Sequence, residues 1–280
     1  MSELWKVAGV QMNVAFAEPE HNLQRMLREL EATAQQGARL TVFPECALTG
    51  YCFDNLQEAA PYAEPIPGPS SQQIADACQR LNMHCVFGML EKADSQVFNA
   101  AVLVGPQGVI GSYRKIHLPY LGVDRFVAPG DRPFAVHAAD PAKIGMHICY
   151  DGAFPEAVRA MMLQQADVVV LPTNWPPGAE NMAEYMINTR AMENCVYYMA
   201  INRVGEERGF RFIGRSRICD IHGNTMAQTA HTEEAVLYAE LDLSLARNKR
   251  IVRVPGRHVI DRLKDRRPEM YSDLVAPLAE

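Results

Sequence analysis

The stretch GMHICYDGAFPE, residues 145–156, decides how the rest of the chain is read. An apolar run ends in Cys149, a Tyr-Asp-Gly turn follows at once, and Pro155 stands where a helix would open. A cysteine in such a run is by default a small, inert core residue. It becomes a nucleophile only as thiolate or with a base beside it.

Working outward, AKIGMHICYD (142–151) reads as a strand and Pro155 to Gln165 as a helix. ADVVVLPTNW (166–175) reads as a strand, Asn181 to Asn194 as a helix and CVYYMAINRVG (195–205) as a strand. Upstream, KVAGVQMNV (6–14) is β-rich. Glu20 to Gln36 carries Leu23, Met26, Leu27, Leu30 and Ala34 at helical spacing, with Gly37 as C-cap. RLTVFPE (39–45) is a buried strand that stops at Pro44. The pattern then predicts a helix over Ser71 to Leu81, capped by Ser70 or Ser71, and a strand at HCVFGML (84–90). VFNAAVLVGPQGVIGSYRK (97–115) and FIGRSRICDIHGNTMAQ (212–228) read as hairpins, and AVLYAELDL (235–243) as the last strand. Strands alternate with helices but hairpins interrupt them. The fold class is therefore α/β, with a largely buried sheet covered by helices on one face.

The chain has 280 residues and 48% hydrophobic composition, enough for a large core, and no repeat or Gly/Ser linker divides it. A single domain over 1–280 is expected. The net charge of -6 argues against a nucleic-acid partner. The basic run Arg247, Lys249, Arg250, Arg253, Arg257, Arg262, Lys264, Arg266 and Arg267 reads as a solvated tail or an intersubunit patch in preference to an anion site. Seven cysteines without a CxxC pair, no apolar leader in MSELWKVAGV and no membrane-length stretch point to a cytoplasmic protein with reduced thiols. The eight histidines show no metal-ligand spacing, so no metal is expected.

Four polar residues stand where apolar runs stop: Glu45, Lys115, Cys149 and Asn174. In open α/β sheets the ligand crevice lies outside strand ends. A desolvated carboxylate can serve as base to a thiol, and a lysine can stabilise a developing oxyanion. Glu45, Lys115 and Cys149 would together form a complete acyl-transfer site. Cys-His is the commoner pairing, and His147 and His117 are both near in sequence, so spacing alone does not choose.

VFPECALTGY (42–51), YRKIHLP (113–119) and ICYDGAFPE (148–156) resemble the three signatures of the nitrilase, or carbon–nitrogen hydrolase, superfamily. LPTNWP (171–176), NTRAMEN (188–194), AINRVG (200–205), FIGRSRICDIHG (212–223) and RRPEMY (266–271) are similar to that family too, in its order. The resemblance runs from about residue 5 to residue 272. It implies an α-β-β-α four-layer sandwich of two mixed sheets and a homodimer or higher even homo-oligomer, with the tail from about 244 to 280 expected at the dimer interface. It also implies a small-molecule substrate and no cofactor. Cys149 would attack the carbonyl or nitrile carbon, Glu45 would act as base and then acid, and Lys115 would hold the tetrahedral intermediate with the N–H after Cys149. The turn and helix after the strand would hold the sulfur at an exposed elbow, where a helix N-terminus favours the thiolate. Tyr51, Asp124, Tyr150, Asn174 and Trp175 are candidate substrate-binding residues. Asp151 and Glu156 are expected to fix the elbow, and Arg190 with Glu193 to form an i,i+3 pair without a catalytic role.

The chain departs from the family at one point. Many members place a second glutamate six residues before the Pro-Gly that follows the lysine motif. Here Val123 holds that spacing before Pro129-Gly130, and Asp124 is next to it. Either Asp124 takes the role or the role is absent. The small residues Gly152-Ala153 after Cys-Tyr-Asp suggest a small neutral aliphatic amide as substrate, although Arg125 or Arg203 could supply a cation from elsewhere. An N-carbamoyl amidohydrolase, an omega-amidase or a nitrilase with the same triad is the alternative, and an acyltransferase a more distant one.

Overall fold

The computed structural model describes residues 4–276, so residues 1–3 of the leader stretch and 277–280 of the expected tail lie outside it. The first half runs β1 (Trp5–Gln11), α1 (Pro19–Gln35), β2 (Leu40–Val42), α2 (Leu56–Ala59), α3 (Pro69–Leu81), β3 (His84–Ala93), β4 (Gln96–Gly105) and β5 (Gly108–Arg114). The second half begins with β6 (Val136–Ala139), β7 (Ala142–Met146), α4 (Pro155–Leu163), β8 (Val168–Thr173), α5 (Ile187–Asn194) and β9 (Tyr197–Asn202). It continues through β10 (Glu206–Glu207), β11 (Phe210–Arg211), β12 (Arg217–Cys219), β13 (Thr225–Gln228), β14 (Ala235–Leu241) and α6 (Leu243–Arg247). A two-stranded hairpin, β15 (Arg250–Val254) and β16 (His258–Asp261), follows.

The strands form two six-stranded sheets, ordered β14-β1-β2-β3-β4-β5 and β13-β12-β9-β8-β7-β6. Both are mixed. In the first, β1, β2 and β3 are parallel and the outer pairings antiparallel. In the second, β7, β8 and β9 are the parallel centre. Strand alternation builds the layers. β3 sends Val86 between the sheets and Cys85, Phe87 and Met89 outward against the first helical layer; β4 does the same with Ala101 and Leu103 against Val102 and Val104. Leu23, Met26 and Leu30 of α1 and Ile74 and Cys78 of α3 cover that outer face. Val158, Met161 and Met162 of α4 and Ile187 and Ala191 of α5 pack with the second sheet. The result is the α-β-β-α sandwich.

Two local readings need correction. The helix expected over 71–81 begins at Pro69, with Gly68 as cap residue; proline is preorganised for a first turn, and Ser71 Oγ accepts from Gly68 N–H at 2.8 Å. The helix expected over 181–194 is a π-helical turn, Met182–Met186, leading into α5.

The parallel centres aim their C-terminal ends at one crevice. β2 ends at Val42, and the segment after it runs across β3, with Gly88 N–H on Pro44 O at 3.1 Å and Leu48 N–H on Gly88 O at 3.2 Å. A Cβ at Gly88 would meet Cys46 N at 2.3 Å and Glu45 Cα at 2.7 Å. Only glycine allows that approach, and it fixes the height of Glu45 above the sheet. Gly88→Ala is expected to cost about 1–3 kcal/mol, read as a lower urea midpoint at unchanged m value; an unchanged midpoint would contradict the close approach.

Candidate active site

Cys149 sits just past β7 with a φ of 46°, in the left-handed region. That conformation costs a non-glycine residue about 1–3 kcal/mol and persists only where its surroundings hold it. Here they do. Asp151 is fully buried; its Oδ2 accepts from Ile148 N–H at 2.9 Å and Tyr113 O–H at 2.7 Å, and its Oδ1 bonds His117 Nδ1 at 2.7 Å. The His117 ring also stacks on Phe154 at 3.7 Å. Arg190 Nε donates to Gly152 O and Nη2 to Ala153 O, both at 3.1 Å, while its Nη1 pairs with Glu193 at 3.0 Å. So the expected Arg190–Glu193 pair is present, and Arg190 in addition ties the elbow to α5. Asp151 fixes the elbow as expected. Glu156 is exposed on α4 and shares none of these bonds.

Opposite the elbow lies a buried polar cluster. Lys115, one residue past β5, donates from Nζ to Glu45 Oε1 at 2.7 Å and also to Asp124 Oδ2. All three side chains are cut off from solvent. Asn99, in the middle of β4, donates to Glu45 Oε1 at 2.7 Å and Asp124 Oδ1 at 2.8 Å. Tyr51 O–H donates to Asp124 Oδ2 at 2.7 Å. Glu45 Oε2 is buried without a partner.

These contacts set the protonation states. Burial pushes the Glu45 carboxyl above the ordinary glutamate range; Lys115 pulls it back and Asp124 pushes it further. Burial alone would strip the Lys115 charge, but Asp124 and Glu45 outweigh it and hold the ammonium well above the usual lysine range. Burial, then the Glu45 charge, pushes the Cys149 thiol up to about 12, against smaller pulls from Lys115, the Thr173 hydroxyl and the Asn174 N–H. Burial thus opposes the expected thiolate and favours a resting thiol, and the elbow expected to expose the sulfur leaves Cys149 buried. α4 begins only at Pro155, six residues past Cys149, and Cys149 is 7% exposed.

The structure brings Glu45, Lys115, Asp124 and Tyr51 into one hydrogen-bonded cluster, and the Glu45 and Lys115 charges reach Cys149. Asn174 follows β8 beside the sulfur, fully buried, with both side-chain polar atoms unpartnered. Trp175 is buried in the core, its backbone N–H on Asn202 Oδ1 at 2.9 Å and its indole N–H without a partner. Tyr150 does not join the cluster; it is 39% exposed and sets its ring edge against Phe154. His147 Nε2 bonds Tyr198 O–H at 2.8 Å, and burial pulls its pKa down to about 4. With His117 on Asp151, both histidine alternatives are engaged elsewhere. Arg203 is paired with Glu207, and Arg125 rests on the Gly122 and Phe53 carbonyls. Asn99, Tyr113 and Thr173 were not singled out from sequence. A polar residue inside the apolar run VFNAAVLV was the available signal for Asn99.

The carbon-nitrogen hydrolase family pattern matches residues 6–251. A nitrilase of Pyrococcus abyssi (strain GE5 / Orsay) is 40% identical over 267 residues, 95% of this chain and 98% of that one. An N-carbamoylputrescine amidase of Solanum lycopersicum is 31% identical over 288 residues, 95% of this chain and 90% of its own. An amidase from Nesterenkonia sp. has the same fold, with a TM-score of 0.80 at 22% identity over 98% of each chain. In a glutamate-to-glutamine variant of that amidase the active-site cysteine carries the acetamide moiety of fluoroacetamide, and a cysteine-to-alanine variant is in complex with butyramide.

The resting state of Cys149 is measurable. Ultraviolet difference spectra against Cys149→Ala should show no thiolate absorbance at neutral or mildly alkaline pH. A thiolate already present at neutral pH would overturn the desolvated-thiol assignment.

Proposed function

The chain belongs to the carbon–nitrogen hydrolase family, and on that footing we propose that it hydrolyses a small, neutral linear amide to a carboxylic acid and ammonia through a cysteine thioester. One observation carries the reading. Glu45 keeps a buried, unpartnered Oε2 while Lys115 and Asn99 occupy its other oxygen, and its charge is felt at the Cys149 sulfur. That is the arrangement of a general base with one oxygen anchored and one free.

The steps follow from the contacts. Cys149 gives its proton to Glu45 Oε2 as the sulfur attacks the carbonyl carbon, so no free thiolate is needed. The oxyanion takes the third Nζ hydrogen of Lys115, the other two being on Glu45 and Asp124, and the Tyr150 N–H. That N–H lies in the first turn of a 3-10 segment, Cys149–Ala153, whose leading N–H groups have no carbonyl in their own turn. Glu45 returns the proton to the leaving nitrogen as the C–N bond breaks. A water, deprotonated by Glu45, then opens the thioester and restores the thiol. Asp124 takes the place of the family's second carboxylate: it holds Lys115 together with Glu45, and Tyr51 holds Asp124. The unpartnered amide of Asn174 offers a donor and an acceptor to the substrate amide. The complex of the Nesterenkonia amidase with butyramide supports a neutral substrate.

We also infer an even homo-oligomer with the tail after residue 244 at the interface. Val252, Val254, Val259, Met270, Leu274 and Val275 are exposed there, apolar surface that a partner chain would cover.

The test is product analysis over short aliphatic amides, omega-amides, N-carbamoyl amino acids and nitriles, with Cys149→Ala and Glu45→Gln in parallel. Ammonia and acid from neutral amides, falling by at least about 10³-fold in both variants, is the expected result. A preference for omega-amides, carbamoyl compounds or nitriles would overturn the substrate assignment and keep the triad. Activity that survives Cys149→Ala would overturn the thioester.

A further inference from the structure

Five cationic side chains are buried among the described residues. Four have carboxylate partners: Lys115 has Glu45 and Asp124, Arg114 has Glu91 and Asp131, Arg203 has Glu207 and Arg217 has Glu184. Lys249, 9% exposed, differs. Its ammonium donates at 2.7 Å to the carbonyl oxygen of Cys195 and makes no carboxylate ion pair. A buried charge without a counterion is costly. Burial accordingly pulls the Lys249 pKa down to about 8, opposed by Cys195 and Asp167.

Lys249 borders a cavity of about 320 Å³, together with Lys143, Met162, Asp167, Arg247 and Leu263. Asp167 is the one carboxylate on its wall, and it is already committed. Its Oδ2 accepts from Lys143 N–H at 2.9 Å and Arg247 Nη2 at 3.2 Å, and its Oδ1 from Arg247 Nε at 3.2 Å. The Lys143 ammonium rests on the neutral Gln165 at 2.9 Å. Arg247 Nη2 also donates to the Pro141 carbonyl, so three cationic residues line one space with one carboxylate among them. A water in the liquid occupies about 30 Å³, so the space holds an ion of several heavy atoms. It lies at the N-terminal ends of β7 and β8, whose C-terminal ends lead to Cys149 and Asn174.

We propose that this cavity is a second binding site, remote from the catalytic cluster, for a small oxyanion whose oxygens bridge the Lys249 and Lys143 ammonium groups and the Arg247 guanidinium. Carboxylates and phosphates share the required chemistry: a compact anion with several acceptor oxygens for charge-assisted hydrogen bonds. An occupant would supply the missing counterion and fasten the segment from Ala246 to Leu263 onto the second sheet.

The experiment is calorimetric titration of the full chain with inorganic phosphate and, separately, with acetate, at ionic strength held constant with chloride. Saturable 1:1 binding of at least one of them is expected, weakened about tenfold or more in Lys249→Met. Saturation by phosphate alone assigns a phosphate ligand, and by acetate alone a carboxylate. Lys143→Gln, at a solvent-facing position, should weaken binding with hydrolase activity unchanged, and it decides the matter if Lys249→Met fails to fold. Chemical acetylation of Lys249, followed by mass spectrometry, should slow when the anion is bound. Absence of saturable binding of either anion, or binding undiminished in the folded variants, would overturn the proposal.

Discussion

The site depends on one buried ammonium held between two carboxylates. Lys115 is out of solvent, and so are Glu45 and Asp124. Removing one partner from such a cluster leaves an uncompensated buried charge, at a cost of about 3–5 kcal/mol. Each member therefore constrains the others. Lys115 keeps its proton because two carboxylates face it, and the Glu45 carboxyl is raised because burial and Asp124 together outweigh one lysine. A lone Glu–Lys pair would leave the carboxylate a weaker base, with no second anchor for the ammonium.

Three segments far apart in sequence have to deliver this cluster to within hydrogen-bond distance, and sheet geometry does it. Gly88 lets the chain after β2 lie against β3, which sets Glu45. β4 and β5 pair through Ala100 and Arg114, which sets Asn99 and Lys115 at the same end. Asp124 arrives on the loop after β5, where Val123 N–H bonds the Tyr51 carbonyl oxygen at 2.8 Å. A Cβ at Gly122, with its φ of 51°, would strike the Tyr51 ring at 2.3 Å. The fourth segment, the Cys149 elbow, comes from the other sheet and is held by Asp151 with Tyr113 and His117 from the first half of the chain. The strained backbone at Cys149 is thus balanced by bonds that cross between the sheets.

Much of this was legible in the order of residues. Apolar, β-rich runs marked the strands of both sheets, and the polar residues at strand ends marked the crevice. What sequence could not supply was contact across distance. Asn99 sits in an apolar run, and nothing local shows that two carboxylates will converge on its amide. Whether Asp124 could stand in for a glutamate one position away was undecidable from spacing; its contact with Lys115 depends on a loop bound to Tyr51, which no local pattern announces. Burial works against the expected thiolate for a related reason. The helix N-terminus was visible in sequence, while the depth at which the sulfur is buried was not.

The most direct test of the shared-lysine account is the pH dependence of kcat/KM for the best amide substrate, in wild type and in Asp124→Asn. Asp124 raises the pKa of Glu45, so neutralising it should move the acid limb to lower pH, while kcat falls as Lys115 loses an anchor. An acid limb that stays in place would contradict the account, because the base would then be tuned by something other than the second carboxylate on Lys115.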